Sequence, residues 1–139
     1  MAVVLDSNAV IGFLDEDDAL HRAADAKIRE LLGRERLIVS VVTYAEVLTG
    51  AKLGPHSEEH VSAFFADLIS EVIAVDVPVA EQAADFRARL ESLRMPDALI
   101  LATAEVDPDV DLVVSGDERA TTLPGLSFGV ALLQPSDTG

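Results

Sequence analysis

The chain has 139 residues, half of them hydrophobic, with no cysteine and a formal net charge of −15 at pH 7. That size and apolar content fit one folded domain over residues 1–139 with a sizeable core and exclude a disordered chain; the missing cysteines exclude disulfides, thiolate catalysis and cysteine-based zinc sites. No apolar run reaches the roughly 18 residues of a membrane span, MAVVLDSN lacks the basic start of a signal peptide, and so the expected location is the cytoplasm.

In chain order, AVVL (2–5) reads as a buried strand ending at Asp6. Ser7 and Asn8 are positioned to cap a short helix through Leu14. Asp17 or Asp18 opens a longer helix that runs through His21–Leu32 and stops at Gly33. RLIVSVV (36–42) is the second strand, and Thr43 starts a helix carrying Ala45, Val47 and Leu48, with Gly50 near its end. Ser57 opens another, with Val61, Phe64, Phe65, Leu68 and Ile69 on its apolar side, so both rings are expected in the core. EVIAVD (71–76) is the third strand. Pro78 fits the first turn of a helix through Leu93, and Pro96 that of the next, Asp97–Val106, which Asp107–Pro108 ends. DLVVS (111–115) and, after a short turn, SFGVALL (127–133) are the last strands, and 134–139 is expected to be a frayed tail.

The strands are apolar without clean alternation, as strands covered on both faces are. Alternating strands and helices imply a parallel α/β sheet with right-handed crossovers. Functional residues in such sheets collect beyond the carboxyl ends of the strands. Asp6 directly follows strand one, Asp117 follows strand four after Gly116, Glu46 lies in the helix after strand two, and Asp97 opens the helix that leads into strand four.

Each acid has a structural reading: Asp6 as a helix cap, Glu46 as a solvated helix residue, Asp97 as a favourable first-turn carboxylate, Asp117 in a turn. Together they suggest more. Two carboxylates about 4 Å apart repel by ~4 kcal/mol at an effective dielectric near 20, and a hard divalent ion removes that cost. Mg²⁺ or Mn²⁺ suits an all-oxygen set and can polarise a phosphodiester and lower the pKa of a bound water. Ser7, Asn8, Thr43 and Ser115 can orient these carboxylates or hold metal-bound waters; capping or turn formation is the alternative for each.

Four blocks carry a family resemblance: VVLDSNAVIGFL, SVVTYAEVLTGA, MPDALILATA and LVVSGDERA. With these in order over almost the whole length, the chain resembles PIN-domain proteins, specifically VapC-like ribonuclease toxins of toxin–antitoxin pairs. The resemblance implies a three-layer fold with a five-stranded parallel sheet of order 3-2-1-4-5 flanked by helices. It implies that Asp6, Glu46, Asp97 and Asp117 bind Mg²⁺ or Mn²⁺ and support endoribonuclease cleavage. It also implies an RNA substrate, a basic DNA-binding antitoxin, a homodimer or toxin–antitoxin hetero-oligomer, and a prokaryotic cytoplasm. The chain departs from the family after the fourth aspartate, where Glu118-Arg119-Ala120 stands in place of a stretch that often contains an aromatic. Arg119 then becomes a candidate phosphate contact, with a surface ion pair as the alternative.

The net charge opposes the basic face of ordinary nucleic-acid binders and suits a basic protein partner. A catalytically weak interaction module with the same fold is therefore the second expectation. HSEEH (56–60) lacks the HExxH order and is expected to be surface histidine. Asp15–Asp18 lacks the EF-hand pattern and reads as a solvated helix entrance. No lysine follows Lys52, as a phosphate-accepting receiver domain would need, and Asn8 stands where a haloacid-dehalogenase-like phosphatase has its second aspartate.

Overall fold

The computed structural model describes residues 1–54 and 56–135. Five strands form one parallel sheet: β1 (Ala2–Leu5), β2 (Arg36–Ser40), β3 (Glu71–Ile73), β4 (Val110–Ser115) and β5 (Gly129–Leu132), in the order β3-β2-β1-β4-β5. Seven helices surround it among the described residues: α1 (Ser7–Leu14), α2 (His21–Leu31), α3 (Val41–Leu53), α4 (Glu58–Asp67), α5 (Val77–Arg89), α6 (Met95–Val106) and α7 (Arg119–Thr122). This is the α/β class and the strand order that the resemblance implies.

The inner strands β1, β2 and β4 lack polar alternation because both their faces are covered. Ala2, Val4, Ile38 and Val113 pack on one side with Phe86, Leu93, Ile100 and Leu101. Val3, Leu5, Leu37, Val39 and Val114 pack on the other with Val10, Ile28, Val47 and Phe64. Phe64 is in this core. Phe65 is only partly buried and stacks edge-on against Tyr44 at 4.8 Å between ring centroids.

Several boundaries differ from the sequence reading, and capping accounts for the main ones. β2 ends at Ser40 because its Oγ accepts from the Val42 N–H at 3.1 Å, which starts α3 at Val41 and not at Thr43. α3 runs past Gly50 to Leu53, and Gly54, with φ of 106°, gives the left-handed stop. β3 is half the expected length, since Asp76 leaves the strand to cap α5 through the Val79 N–H. α1 is capped by Asp6; Ser7 and Asn8 turn their side chains elsewhere. α5 closes at Arg89, and the short turn before β5 contains α7. Of the expected frayed tail, Ser136 to Gly139 lie outside the described residues. Among the described residues, no helix is long and apolar enough to cross a membrane.

Candidate metal and phosphate site

The chain runs from β1 outward to β2 and β3, then returns to place β4 on the other side of β1. The carboxyl ends of β1 and β4 therefore flank a switch point. Leu5 pairs with Val114, and the ladder takes one further step as the Asp6 N–H donates to the Val114 carbonyl at 2.9 Å. The next residue on each strand is then a neighbour of the other: Ser115 Oγ donates to Asp6 Oδ2 at 2.7 Å. Asp6 Oδ1 accepts from the Ser7 N–H at 2.7 Å as the cap of α1.

From this pair the site widens. Ser115 Oγ also accepts from the Asp117 N–H at 3.0 Å, so one buried hydroxyl holds both turn and strand end. Asn8 Oδ1 accepts from the Gly116 N–H at 2.8 Å and ties the same turn to α1. A Cβ at Gly116 would run into Leu20 Cδ1, so the turn passes close under that side chain. On the α3 side, Ser7 Oγ donates to Glu46 Oε1 at 2.6 Å and is hydrogen bonded to Thr43 Oγ1 at 3.1 Å. Met95 and Pro96 open α6, which puts Asp97 in its first turn at the rim. Asp6, Glu46, Asp97 and Asp117 thus line one cleft of about 360 Å³, together with Ser7, Asn8, Ile11, Gly116 and two arginines.

Arg119 is the central cation of this cleft. Its Nε donates to Asp117 Oδ1 and Oδ2 at 3.0 Å, and its Nη2 to Asp117 Oδ2 at 2.7 Å. The same Nη2 lies 3.4 Å from Asp97 Oδ2, and Nη1 donates to the Ser92 carbonyl at 2.7 Å. Arg94, just before α6, stands 3.8 Å from Asp97 Oδ2. The sequence reading did not single out Arg94. Its signal was a basic residue immediately ahead of a helix that opens with an acid.

The carboxylates respond to this surrounding. Burial pushes Asp6 up to about 6, against the Ser115 and Ser7 hydrogen bonds that pull it down; Asp97 and Asp117 push it further up. Asp97 is also raised, mainly by burial, with Arg119 opposing and Asp117 adding to the rise. Asp117 goes the other way: burial alone would raise it, but the Arg119 hydrogen bonds and charge outweigh that and hold it below the usual range.

The donor set fits a hard divalent cation. It is all oxygen, it contains no histidine or cysteine, and the neighbouring carboxylates raise the proton affinity of Asp6 and Asp97. It also already attracts a cation, the Arg119 guanidinium. Among the described residues, however, no three His, Cys, Asp or Glu side chains are grouped closely enough to grip an ion as they stand. His60 is exposed and His56 packs its ring against Gly50, away from this cleft.

Residues 3–125 match the PIN domain family profile. The chain belongs to the PIN domain family. No curated protein matches its sequence. Solved structures share the PIN fold at low identity. VapBC2 from Rickettsia felis, bound to a DNA fragment from its promoter, is 14% identical with a TM-score of 0.75, over 96% of this chain and 100% of that one. A toxin–antitoxin complex from Klebsiella pneumoniae is 21% identical with a TM-score of 0.72, over 96% and 99%. VapC20 of Mycobacterium tuberculosis, a toxin that cleaves the sarcin–ricin loop, is 17% identical with a TM-score of 0.67, over 90% and 97%.

Proposed function

We propose that this PIN domain is a VapC-like endoribonuclease, the toxin of a prokaryotic toxin–antitoxin pair acting in the cytoplasm, and that it hydrolyses RNA phosphodiesters with Mg²⁺ or Mn²⁺. The observation that carries the reading is the meeting of Asp6, Glu46, Asp97 and Asp117, from four separate segments, in one cleft at the switch point. These four acids would hold the ion. When bound, the ion supplies charge neutralisation at the phosphate and a more acidic water.

The remaining groups have tasks that follow from their contacts. Ser115 aims the Asp6 carboxylate and fixes the Asp117 turn. Ser7, backed by Thr43, aims Glu46, and Asn8 anchors the Gly116 amide. Arg94 and Arg119 are the basic residues lining the cleft, so they are assigned to the scissile phosphate, where a guanidinium fork matches two phosphate oxygens. In a chain with a net charge of −15, binding to long RNA is expected to be weak and salt-sensitive.

The proposed partner is a basic antitoxin, in a hetero-oligomer with one or two copies of this chain. Two observations support it. The acidic surface complements a basic protein, and similar folds occur in toxin–antitoxin complexes. The same charge favours a second reading, an interaction module with little turnover.

An RNA panel incubated with Mg²⁺ or Mn²⁺ tests the enzyme reading. Cleavage should vanish in chelator and fall on the order of a hundredfold or more in Asp97→Asn. Equal cleavage by Asp97→Asn and the parent would reject the assignment, and no cleavage by the parent would favour the interaction module.

A further inference from the structure

The metal reading leaves one contact unexplained. Asp97 and Asp117 each approach the same guanidinium nitrogen, Arg119 Nη2, at 3.4 and 2.7 Å. A divalent ion held by these acids would compete for the same oxygens. We propose that Arg119 is the built-in counter-cation of the metal site: it offsets part of the charge of the Asp97–Asp117 pair in the metal-free protein, and ion binding and guanidinium release are one exchange. This rests on the metal-dependent reading above and adds to it a residue that sets the metal affinity.

Three features support exchange over a fixed structural ion pair. The Arg119 side chain is 37% exposed, against 20% for Asp97 and 18% for Asp117, so the guanidinium covers the acids from the solvent side. At that exposure the guanidinium is open to water and salt, so it is within reach of displacement by a doubly charged ion despite its fork onto Asp117 and its bond to the Ser92 carbonyl. Asp117 also has holds that do not involve the guanidinium, and Asp97 has a fixed backbone position. Asp117 Oδ1 accepts from the Arg119 main-chain N–H at 3.0 Å, and the Asp117 N–H is held by Ser115 Oγ at 3.0 Å. Asp97 is set by the first turn of α6. Release of the side chain therefore frees an arginine at the mouth of the cleft, where a phosphate would be bound, while the carboxylates stay aimed inward.

Reciprocity gives the measurable consequence. A cation that stabilises the metal-free site weakens metal binding by the coupling between them, which is on the order of tenfold for sites of this kind. Calorimetric titration with Mn²⁺ should show Arg119→Gln binding about tenfold more tightly than the parent, and Arg119→Lys, a point charge without the fork, falling between them. A second measurement uses the intact side chain. In ¹⁵N-labelled parent protein, the Arg119 Nε–H resonance, identified by its loss in Arg119→Lys, should shift along a Mg²⁺ titration with the midpoint that a parallel Mg²⁺ calorimetric titration gives. Parent-like Mn²⁺ affinity in Arg119→Gln, or an Nε–H resonance that stays unmoved at saturating Mg²⁺, would overturn the exchange and leave the nuclease reading standing. Absence of Mn²⁺ binding by every form at millimolar metal would overturn both.

Discussion

Replacing Asp6 by Asn should reverse its effect on stability between acid and neutral pH. Asp6 is 5% exposed, and its pKa is raised from 3.8 to about 6 in the folded chain. The folded state therefore holds more protons than the unfolded state between those values. Stability falls as pH rises through that window, and the penalty is complete above about pH 6. At 1.36 kcal/mol per tenfold, the interval corresponds to about 3 kcal/mol. Asn carries no charge and escapes this cost. It also turns an NH₂ group, which cannot accept, toward one of the two donors that face the Asp6 oxygens, Ser115 Oγ–H and the Ser7 N–H, a loss of about 1–2 kcal/mol relative to the protonated acid. In chelator, Asp6→Asn should be less stable than the parent by about 1–2 kcal/mol near pH 4 and more stable by a similar amount at pH 7.5. Urea unfolding at both pH values reads this directly: with a slope of about 1–3 kcal/mol per molar, the midpoint difference should move by roughly 1–3 M. A parent-to-variant difference that is the same at the two pH values would refute the placement of the electrostatic cost at Asp6.

Other outcomes follow from the same contacts. Ser115→Ala removes the hydrogen bond that lowers Asp6, so urea unfolding should show a loss of about 1–2 kcal/mol, and RNA cleavage should fall about 10- to 100-fold with its acid limb moved to higher pH. Glu46→Gln keeps an acceptor for Ser7 Oγ, so stability should change by no more than about 0.5 kcal/mol while calorimetry shows Mn²⁺ affinity reduced about tenfold or more. At pH 7.5, Mg²⁺ at a hundred times its Kd should stabilise the parent by about 2.7 kcal/mol in urea unfolding, and this gain should be lost in Asp97→Asn.

Five Val/Ile/Leu runs at strand length, the first three each followed by helical patterns, were enough to read a parallel α/β chain. In β1, β2 and β4 the runs report burial on both faces; β3 and β5, at the sheet edges, are apolar yet partly exposed. The four acids were equally visible, since each stands in its own local motif at a strand end or helix start. Boundaries were less visible where two local preferences compete. Val41 and Val42 favour a strand by composition, yet Ser40 captures the Val42 amide and turns them into helix. Asp76 does the same at the end of β3. In both cases a single side-chain acceptor outweighs a weak propensity.

What tertiary structure alone decided is which groups meet. Ser115 and Asp6 are 109 positions apart in the chain and 2.7 Å apart in space, because β4 returns to lie beside β1 in a register that pairs Leu5 with Val114. Ser7 was legible as a hydroxyl that orients a carboxylate or caps a helix; that its partner is Glu46 follows only from how α1 packs on α3. Arg119 was visible as a lone cation after an aspartate; that it also approaches Asp97 from another helix follows only from how α6 packs against the sheet. Hydrophobic patterning writes the elements into the sequence, since each residue's preference for water or interior is its own. Register and the crossing of elements depend on many side chains packing at once, and the charges that share a cleft are set at that level.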